Sequence, residues 1–419
     1  MSYICTLKKG KNMQLIETHQ LPSGLRLIHY YIDSPVAYCG FGINVGARDE
    51  ESNRFGIAHF TEHLLFKGTS KRKPGHIINR METVGGELNA YTTKEETFVY
   101  SVFLEDHFER AFELLSDLVF NSRFPENEIE KERDVILDEI NSYKDNPSEL
   151  IFDEFENLLF SGHEMGHNIL GEPEILDAMG KEHFIRFHDL YYLPNNMVFF
   201  SMGKTPFRKI VKLADKYLTN TASPNSSPIK RVALKKMPAK LVTEDKNLCQ
   251  KHVIMGTWGY SLFEEKRTAL FLLNNMLGGP GMNSRLNLSL REKYGLVYNV
   301  ESNLSSYTDT GIFSIYFGCD PKQIDKCISL VNKELKLFCE RSLTTSQLEA
   351  AKKQLKGQLG ISNENRENIC LGMGKSFLHR NTYEGLQGIY QKIDRLTADQ
   401  LLSVANEIFD NDRIFRLIY

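Results

Sequence analysis

Residues 56–69 read GIAHFTEHLLFKGT, and the decisive part is the run His59-Phe60-Thr61-Glu62-His63. In a helix, His59 and His63 would stand four residues apart and project from one face. Two imidazoles placed in this way can bind one Zn²⁺, and Glu62 beside them can serve as a general base. The order H-x-x-E-H is the reverse of the zinc-binding H-E-x-x-H pattern. Two ordinary helix histidines would give the same five residues, so the run alone leaves both interpretations open.

A catalytic zinc usually has three protein ligands, so a further ligand must come from another part of the chain. Residues 126–143, ENEIEKERDVILDEINSY, predict an amphipathic helix, and Glu132 and Glu139 fall on its apolar stripe. A buried carboxylate is costly unless a cation or strong donors satisfy it, so a metal would explain both residues. Hydrogen bonds from the backbone, or an ion pair with arginine, are the alternative explanation.

The run HFTEH, followed 76 residues after its last histidine by Glu139 in ERDVILDEI, closely resembles the pitrilysin and insulysin metallopeptidases. The nearer resemblance is to the branch of short subunits that includes mitochondrial processing peptidase and its bacterial relatives. Two further family-like segments are GGELNAYTTKEETFVYSV at 85–102 and LGGPGMNSRLNLSLREKYGLVYNVES at 277–302. The resemblance therefore covers essentially the whole chain.

The resemblance implies that His59, His63 and Glu139 bind one Zn²⁺ per chain and that Glu62 is the catalytic base. Zinc in such a site activates water and polarises the scissile carbonyl group. Glu132 lies on the helix face that carries Glu139. We expect it to hold a ligand histidine through the other N–H of the imidazole ring.

The resemblance also implies substrate contacts. Asn89 and Ala90 match a family segment at an exposed sheet edge, to which an extended peptide adds as a strand; the alternative is an ordinary strand start. Tyr298 is expected to donate its hydroxyl to the developing oxyanion, and Arg291 to bind or orient the substrate. A surface ion pair with Glu292 is the alternative role for Arg291.

The chain divides at NTASPNSSP, Asn220–Pro228, which predicts a linker between residues 1–219 and residues 229–419. Each half repeats one order of strands, a helix that ends near a glycine, further strands and two long amphipathic helices. We predict an α+β fold of two homologous domains, each an antiparallel-rich sheet with helices on one face. The first domain would bind zinc and the second would supply substrate contacts. The predicted strands span 25–31, 36–45, 97–104, 252–258 and 312–317, and the predicted helices span 57–66, 106–120, 126–143, 266–277, 321–339 and 345–360.

The duplication allows an internal comparison, because the halves can be aligned at Gly68 and Gly278 and along their long helices. This alignment places Ala269, Leu272, Leu273, Ala351 and Gln358 opposite His59, Glu62, His63, Glu132 and Glu139, respectively. The second half thus has mostly apolar residues at these positions. Packing does not require the histidines and carboxylates of the first half, so chemistry explains them better.

The composition is that of a globular protein: 41% of the 419 residues are hydrophobic, 25% are charged and the net charge is −3. This balance excludes an electrostatic pull toward nucleic acid or anionic membrane, and no apolar run approaches the roughly 20 residues that span a bilayer. The seven cysteines show no CxxC spacing. They favour a reducing compartment, and with an N-terminus unlike a secretory signal they predict a cytoplasmic protein that starts at Met1 or Met13.

The motif and the family resemblance together predict a zinc metalloendopeptidase, and the resemblance implies that it hydrolyses unstructured peptides. Relatives enclose peptides in a chamber of four α+β units, so a chain with two such units would be half of a clamshell. It would need a second chain, as a homodimer or as a heterodimer with a related subunit. The alternative is a non-catalytic structural or partner subunit of the same family. LGGPG lacks the rest of a phosphate loop, and His163 and His167 lie in turn-like sequence, so we assign neither a role.

Overall fold

The computed structural model describes residues 15–218, 229, 231–235 and 237–419. The predicted linker Asn220–Pro228 and the possible start at Met13 lie outside these described residues. Within the described part, no helix combines the length and the apolar character that a membrane span requires.

Eleven strands and fourteen α-helices account for most of the described chain. The strands are β1 (Leu15–Gln20), β2 (Arg26–Tyr31), β3 (Val36–Ile43), β4 (Glu87–Thr92), β5 (Thr97–Leu104), β6 (Met197–Gly203), β7 (Leu241–Thr243), β8 (Lys251–Gly259), β9 (Val297–Ser306), β10 (Gly311–Cys319) and β11 (Phe415–Ile418). The helices are α1 (Ile57–Leu65), α2 (Pro74–Glu82), α3 (Phe108–Asn121), α4 (Glu126–Lys144), α5 (Pro147–Leu159), α6 (Pro173–Asp177), α7 (Lys181–Tyr191), α8 (Phe207–Leu218), α9 (Arg267–Gly278), α10 (Ile324–Glu340), α11 (Thr345–Ser362), α12 (Arg366–Arg380), α13 (Gly385–Asp394) and α14 (Ala398–Ile408).

The first compact unit contains a six-stranded sheet in the order β1-β2-β6-β3-β5-β4. Every neighbouring pair is antiparallel except β2 and β6, which run parallel. Strand β4 is the last in this order and pairs only with β5 among the described strands. One edge of β4 therefore keeps its backbone N–H and C=O groups available.

The second compact unit contains a five-stranded sheet in the order β7-β11-β8-β10-β9. The run β11-β8-β10-β9 corresponds strand for strand to β6-β3-β5-β4 of the first unit, including the antiparallel pairing. In both units a helix follows the first strand of the central antiparallel pair, α1 after β3 in the pair β3–β5 and α9 after β8 in the pair β8–β10. The predicted α+β class, with a duplicated and antiparallel-rich unit, is confirmed.

The helices differ from the prediction in one respect, because each sheet is covered on both faces. In the first unit, Phe112 of α3 packs against Phe41 and Phe199 on one face. On the other face, α12 packs against Phe98 and Phe200, whose rings lie so close that a side chain at Gly374 would collide with them. In the second unit, α9, α10 and α14 cover one face and α5 covers the other. Strands β6 and β10 are buried at every residue, and such strands need apolar cover on both faces.

This second layer of helices explains why the compact units do not follow the two halves of the chain. The first unit comprises the described residues of Met1–Ile140, His167–Arg231 and Asn365–Tyr383, and the second comprises Asn141–Gly166, Val232–Glu364 and Glu384–Tyr419. Helix α5 comes from the first half of the sequence and belongs to the second unit, whereas α12 comes from the second half and belongs to the first. A division at Asn220–Pro228 alone would leave one face of each sheet uncovered.

Candidate metal centre

Helix α1 carries both histidines of the HFTEH run, and a buried carboxylate fixes the start of this helix. The backbone N–H groups of Gly56 and Ala58 donate to the two carboxylate oxygens of Glu50 at 2.9 and 2.8 Å. His167 Nε2 donates to the same carboxylate at 3.0 Å, and its ring stacks on Phe55. Burial raises the pKa of Glu50, while these donors oppose the rise. Gly56, at φ 95°, makes the sharp turn into the helix that other residues rarely adopt.

His59, His63 and Glu139 come together as the sequence predicted, with one possible ligand atom of each within 4.8 Å of the other two. Glu139 Oε2 lies 3.8 Å from His59 Nε2 and 3.9 Å from His63 Nε2. These separations are too long for hydrogen bonds but suit atoms that share one ion. Within the described residues, this is the one group of three His, Cys, Asp or Glu side chains with such spacing.

The electrostatics also suit a metal. Burial, helped by the neighbouring His63, lowers the pKa of His59 to about 3. His59 is therefore a neutral imidazole at physiological pH, the form that binds zinc. Its Nδ1 is buried and has no hydrogen-bond partner among the described atoms. Two nitrogens and one carboxylate oxygen form a donor set typical of a catalytic zinc site with a position left for water.

Glu132 lies behind His63, as the sequence predicted. His63 Nδ1 donates to Glu132 Oε2 at 3.1 Å, and this bond turns the opposite ring nitrogen, Nε2, toward Glu139. The other oxygen of Glu132, Oε1, forms an ion pair with Lys67 Nζ at 2.7 Å. The Glu132 side chain is only 8% exposed, against 35% for Glu139. Glu132 is thus fully engaged by His63 and Lys67, whereas Glu139 is the more open carboxylate.

Glu62 lies on the same helix as the two histidines and is buried. Thr92, the last residue of β4, donates its hydroxyl to Glu62 Oε2 at 2.5 Å. Burial raises the pKa of Glu62, the Thr92 hydrogen bond opposes this, and the nearby Glu139 adds to it. A carboxylate with a raised pKa accepts a proton more readily at neutral pH, as a general base must.

Asn89 and Ala90 lie on β4, where they pair with Tyr100 and Val99 of β5. Asn89 is exposed and Ala90 is half-buried. Because β4 is the edge strand that also supplies Thr92, an added peptide strand would run next to Glu62. The predicted sheet edge is therefore present, and the predicted substrate contacts stay a prediction.

Arg291 and Tyr298 belong to the second unit. Arg291 lies in a π-helical turn, Asn287–Glu292, with its guanidinium 5.7 Å from the centre of the Tyr298 ring. The Arg291–Glu292 pair is long, 3.9 Å, and both side chains are about half exposed. An ion pair this long and this exposed adds little to the stability of the fold, so it gives Arg291 no clear structural role. Tyr298 is 84% exposed at the start of the edge strand β9, where its hydroxyl is available to another molecule.

The sequence analysis missed three residues of this centre: Lys67, Thr92 and Glu50. Lys67 had a signal in its position four residues after His63, although α1 ends at Leu65 and Lys67 lies just beyond the helix. Thr92 and Glu50 had none, because their partners are set by strand order and by the turn before α1. The sequence assigned His163 and His167 no metal, and each has another partner: Val232 O for His163 and Glu50 for His167.

Comparisons with known proteins show the family of this chain. The family described as Insulinase (Peptidase family M16) matches residues 29–173, and Peptidase M16 inactive domain matches residues 178–355. All the candidate ligands and Glu62 fall within the first match.

Relatives resemble the chain over nearly its whole length. An uncharacterized zinc protease of Mycobacterium leprae is 32% identical over 394 residues, 93% of this chain and 88% of the relative. An uncharacterized zinc protease of Bacillus subtilis is 31% identical over 381 residues, 90% and 92% of the two chains. A crystal structure of a protease from Helicobacter pylori has the same fold, with a TM-score of 0.90, 23% identity and coverage of 97% of this chain and 99% of the other. Similarity of this extent to several relatives, together with both domain matches, means that the chain belongs to the insulinase family of peptidases, peptidase family M16.

Proposed function

We propose that this protein is a zinc-dependent endopeptidase of the processing-peptidase-like branch that hydrolyses unstructured peptides. The observation that carries the proposal is the convergence of His59 Nε2, His63 Nε2 and Glu139 Oε2 beside the buried Glu62. The names of the relatives, zinc proteases, support the choice of metal. One Zn²⁺ per chain is proposed, because the described residues form one such group.

In this proposal the zinc, when bound, activates water and polarises the scissile carbonyl. Glu62 takes a proton from the attacking water and returns it to the leaving amine. Thr92 holds the Glu62 carboxylate in place through its short hydrogen bond. Glu132 keeps the His63 ring oriented, and Lys67 balances the charge of Glu132.

The substrate would bind as an added strand on β4, with Asn89 and Ala90 in contact with it. Backbone hydrogen bonds carry such binding, so sequence preference should be loose. The scissile bond of the bound peptide should lie near Thr92, because this residue of the edge strand is hydrogen-bonded to the catalytic base Glu62. We also propose a cytoplasmic location, since the described cysteines are free thiols, as expected in a reducing compartment.

Tyr298 is proposed as a donor to the developing oxyanion and Arg291 as a residue that binds or orients the substrate. Tyr298→Phe should lower kcat by about 10²-fold with unchanged zinc content, the magnitude typical of a lost oxyanion donor. Steady-state kinetics and metal analysis of the same sample measure both quantities. Tyr294→Phe, at an exposed tyrosine four residues earlier, is the matched control and should be nearly silent. Loss of zinc in Tyr298→Phe would contradict the assignment.

A chain with two α+β units is proposed to form half of a chamber, closed by a second copy or by a related subunit. An extended peptide could enter this chamber, and a folded protein could not. One cleavable sequence should therefore be cut as a free peptide and resist when placed within a folded host. Activity should also fall on dilution if the partner is weakly bound, because assembly follows mass action.

Sedimentation at several protein concentrations, beside hydrolysis of both forms of the sequence, tests this arrangement. A fully active monomer, or equal cleavage of the free and the folded form, would rule out the chamber and leave the zinc chemistry untouched.

A non-catalytic partner subunit is the second candidate function. The match of residues 178–355 to a domain described as inactive is the observation in its favour. The candidate ligands and Glu62 lie outside that range, and a subunit without activity would not need them. Peptide hydrolysis by the purified, zinc-loaded protein decides between the two candidates.

A further inference from the structure

A cavity of about 590 Å³ in the second unit has a strong surplus of positive charge. It lies among the segment 285–294, helix α10 and the first residues of α11. Its charged lining consists of four cations and one carboxylate: Arg285, Lys293, Lys333, Arg341 and Glu334. The chain as a whole has a net charge of −3, so this concentration does not follow from composition. We name this site the basic cavity.

Arg285 is half-buried in the wall of the basic cavity. Its guanidinium lies 3.7 Å from the centre of the Phe338 ring, and Phe338 is buried. Among the described residues, Arg285 makes no hydrogen bond and no ion pair within 4.0 Å, and its charge interacts only at longer range with Glu334. Burial lowers the pKa of Arg285, which records the cost of holding this charge away from water. Stacking on a buried ring restrains the guanidinium, so little freedom remains to be lost on binding.

The other three cations are exposed at the rim of the basic cavity, and none has an ion-pair partner among the described residues. Lys336, on the same helix as Lys333 but outside the cavity, is paired with Glu340 at 3.5 Å. Glu334 is the one carboxylate of α10 that lines the basic cavity, and it offsets only part of the charge of the four cations. The N-terminus of α11, an 18-residue helix, also borders it and adds partial positive charge.

We propose that the basic cavity binds a small organic phosphate with at least two negative charges. A planar guanidinium matches the oxygens of a phosphate group, and lysines around it serve as further point charges. A volume of this size accommodates a ligand larger than a single inorganic ion. The site lies within the second unit and requires neither zinc nor hydrolysis.

The probe is inorganic pyrophosphate, titrated calorimetrically into the full chain at low ionic strength. We expect one site per chain and an affinity that falls as salt is added. Arg285→Met keeps a long side chain against Phe338 and should weaken binding about tenfold or more, as for a lost hydrogen bond between charged groups. Lys293→Met, at the exposed rim, cannot disturb the core and should weaken binding severalfold. Lys336→Met is the matched control on the same helix and should bind as the wild type does.

Pyrophosphate can also bind metals, so the titration is repeated with His63→Ala, in which the metal centre is disrupted. Unchanged binding in that variant shows that the ligand does not occupy the metal centre, which separates this proposal from the proposed peptidase activity. Weakened binding in Arg285→Met then places the ligand in the basic cavity. Absence of saturable binding by the wild type would overturn the proposal. Wild-type affinity in both Arg285→Met and Lys293→Met, with each variant folded, would also overturn it. Equally tight binding of citrate would overturn the choice of phosphate as the ligand class.

Discussion

Glu62→Gln should retain zinc and lose peptide hydrolysis, with kcat lowered by about 10²- to 10⁴-fold, the usual contribution of a general base. The amide has nearly the shape of the carboxylate, and it can still accept the hydrogen bond from Thr92. It cannot take a proton from water. Metal analysis and hydrolysis of an unstructured peptide by the same sample measure the two effects separately.

Glu130→Gln provides the matched control for this variant. Glu130 is exposed on α4 and should tolerate the same change without loss of activity. If Glu62→Gln cleaves peptides at the wild-type rate, Glu62 is not the base. If the wild type itself is inactive with zinc bound, the partner-subunit function takes precedence over the proposed activity.

His63→Ala and Glu139→Gln should each lose the zinc, so that metal content falls from one per chain to nearly none after dialysis. A site with three protein ligands cannot spare one of them. Glu132→Gln removes only the hydrogen-bonded support of His63 and should weaken zinc binding about 10- to 100-fold, the range measured for outer-shell partners. Competition with a chelator measures this graded series.

His76→Ala is the control for the histidine variant, because His76 is exposed on α2 and belongs to no metal cluster among the described residues. Circular dichroism separates loss of metal from loss of fold. Zinc should raise the melting temperature of the wild type and of His76→Ala, and leave that of His63→Ala unchanged, because a ligand stabilises only the state that binds it. Zinc content near one per chain in folded Glu139→Gln would remove Glu139 from the ligand set.

Much of the candidate metal centre could be predicted because its information is local. The helical repeat alone places His59 and His63 on one face, and the observed helix α1 has its bounds within a residue of the prediction. The periodicity of α4 puts Glu132 and Glu139 on a common stripe. The family resemblance assigned Glu139 and Glu132 different roles. The distances show how the two carboxylates differ: Glu132 bonds to Lys67 and His63, whereas Glu139 makes neither of these close contacts.

The supporting contacts could not be predicted in this way. Thr92 meets Glu62 because β4 lies at the sheet edge beside α1, 30 residues further along the chain. Glu50 reaches the start of α1 because the chain turns back at Gly56. Helical spacing in the sequence cannot predict these two contacts, because they depend on the order of the strands and on the path of a loop.

The sequence by itself determined the α+β class and the duplication, and it placed the candidate ligands His59 and His63 on one helix face, because periodicity and residue chemistry act over a few turns of the chain. Only the tertiary structure decided which sheet each helix covers. Helix α12 is distant from β6 in sequence, yet it covers one face of the sheet that contains β6. Helix α5 belongs to the first half of the chain and β8 to the second, yet α5 covers one face of the sheet that contains β8. Strands buried on both sides lower their free energy by burying apolar surface against whichever helix fits. The hydrophobic effect has no direction along the chain, so the identity of that helix is a property of the folded molecule.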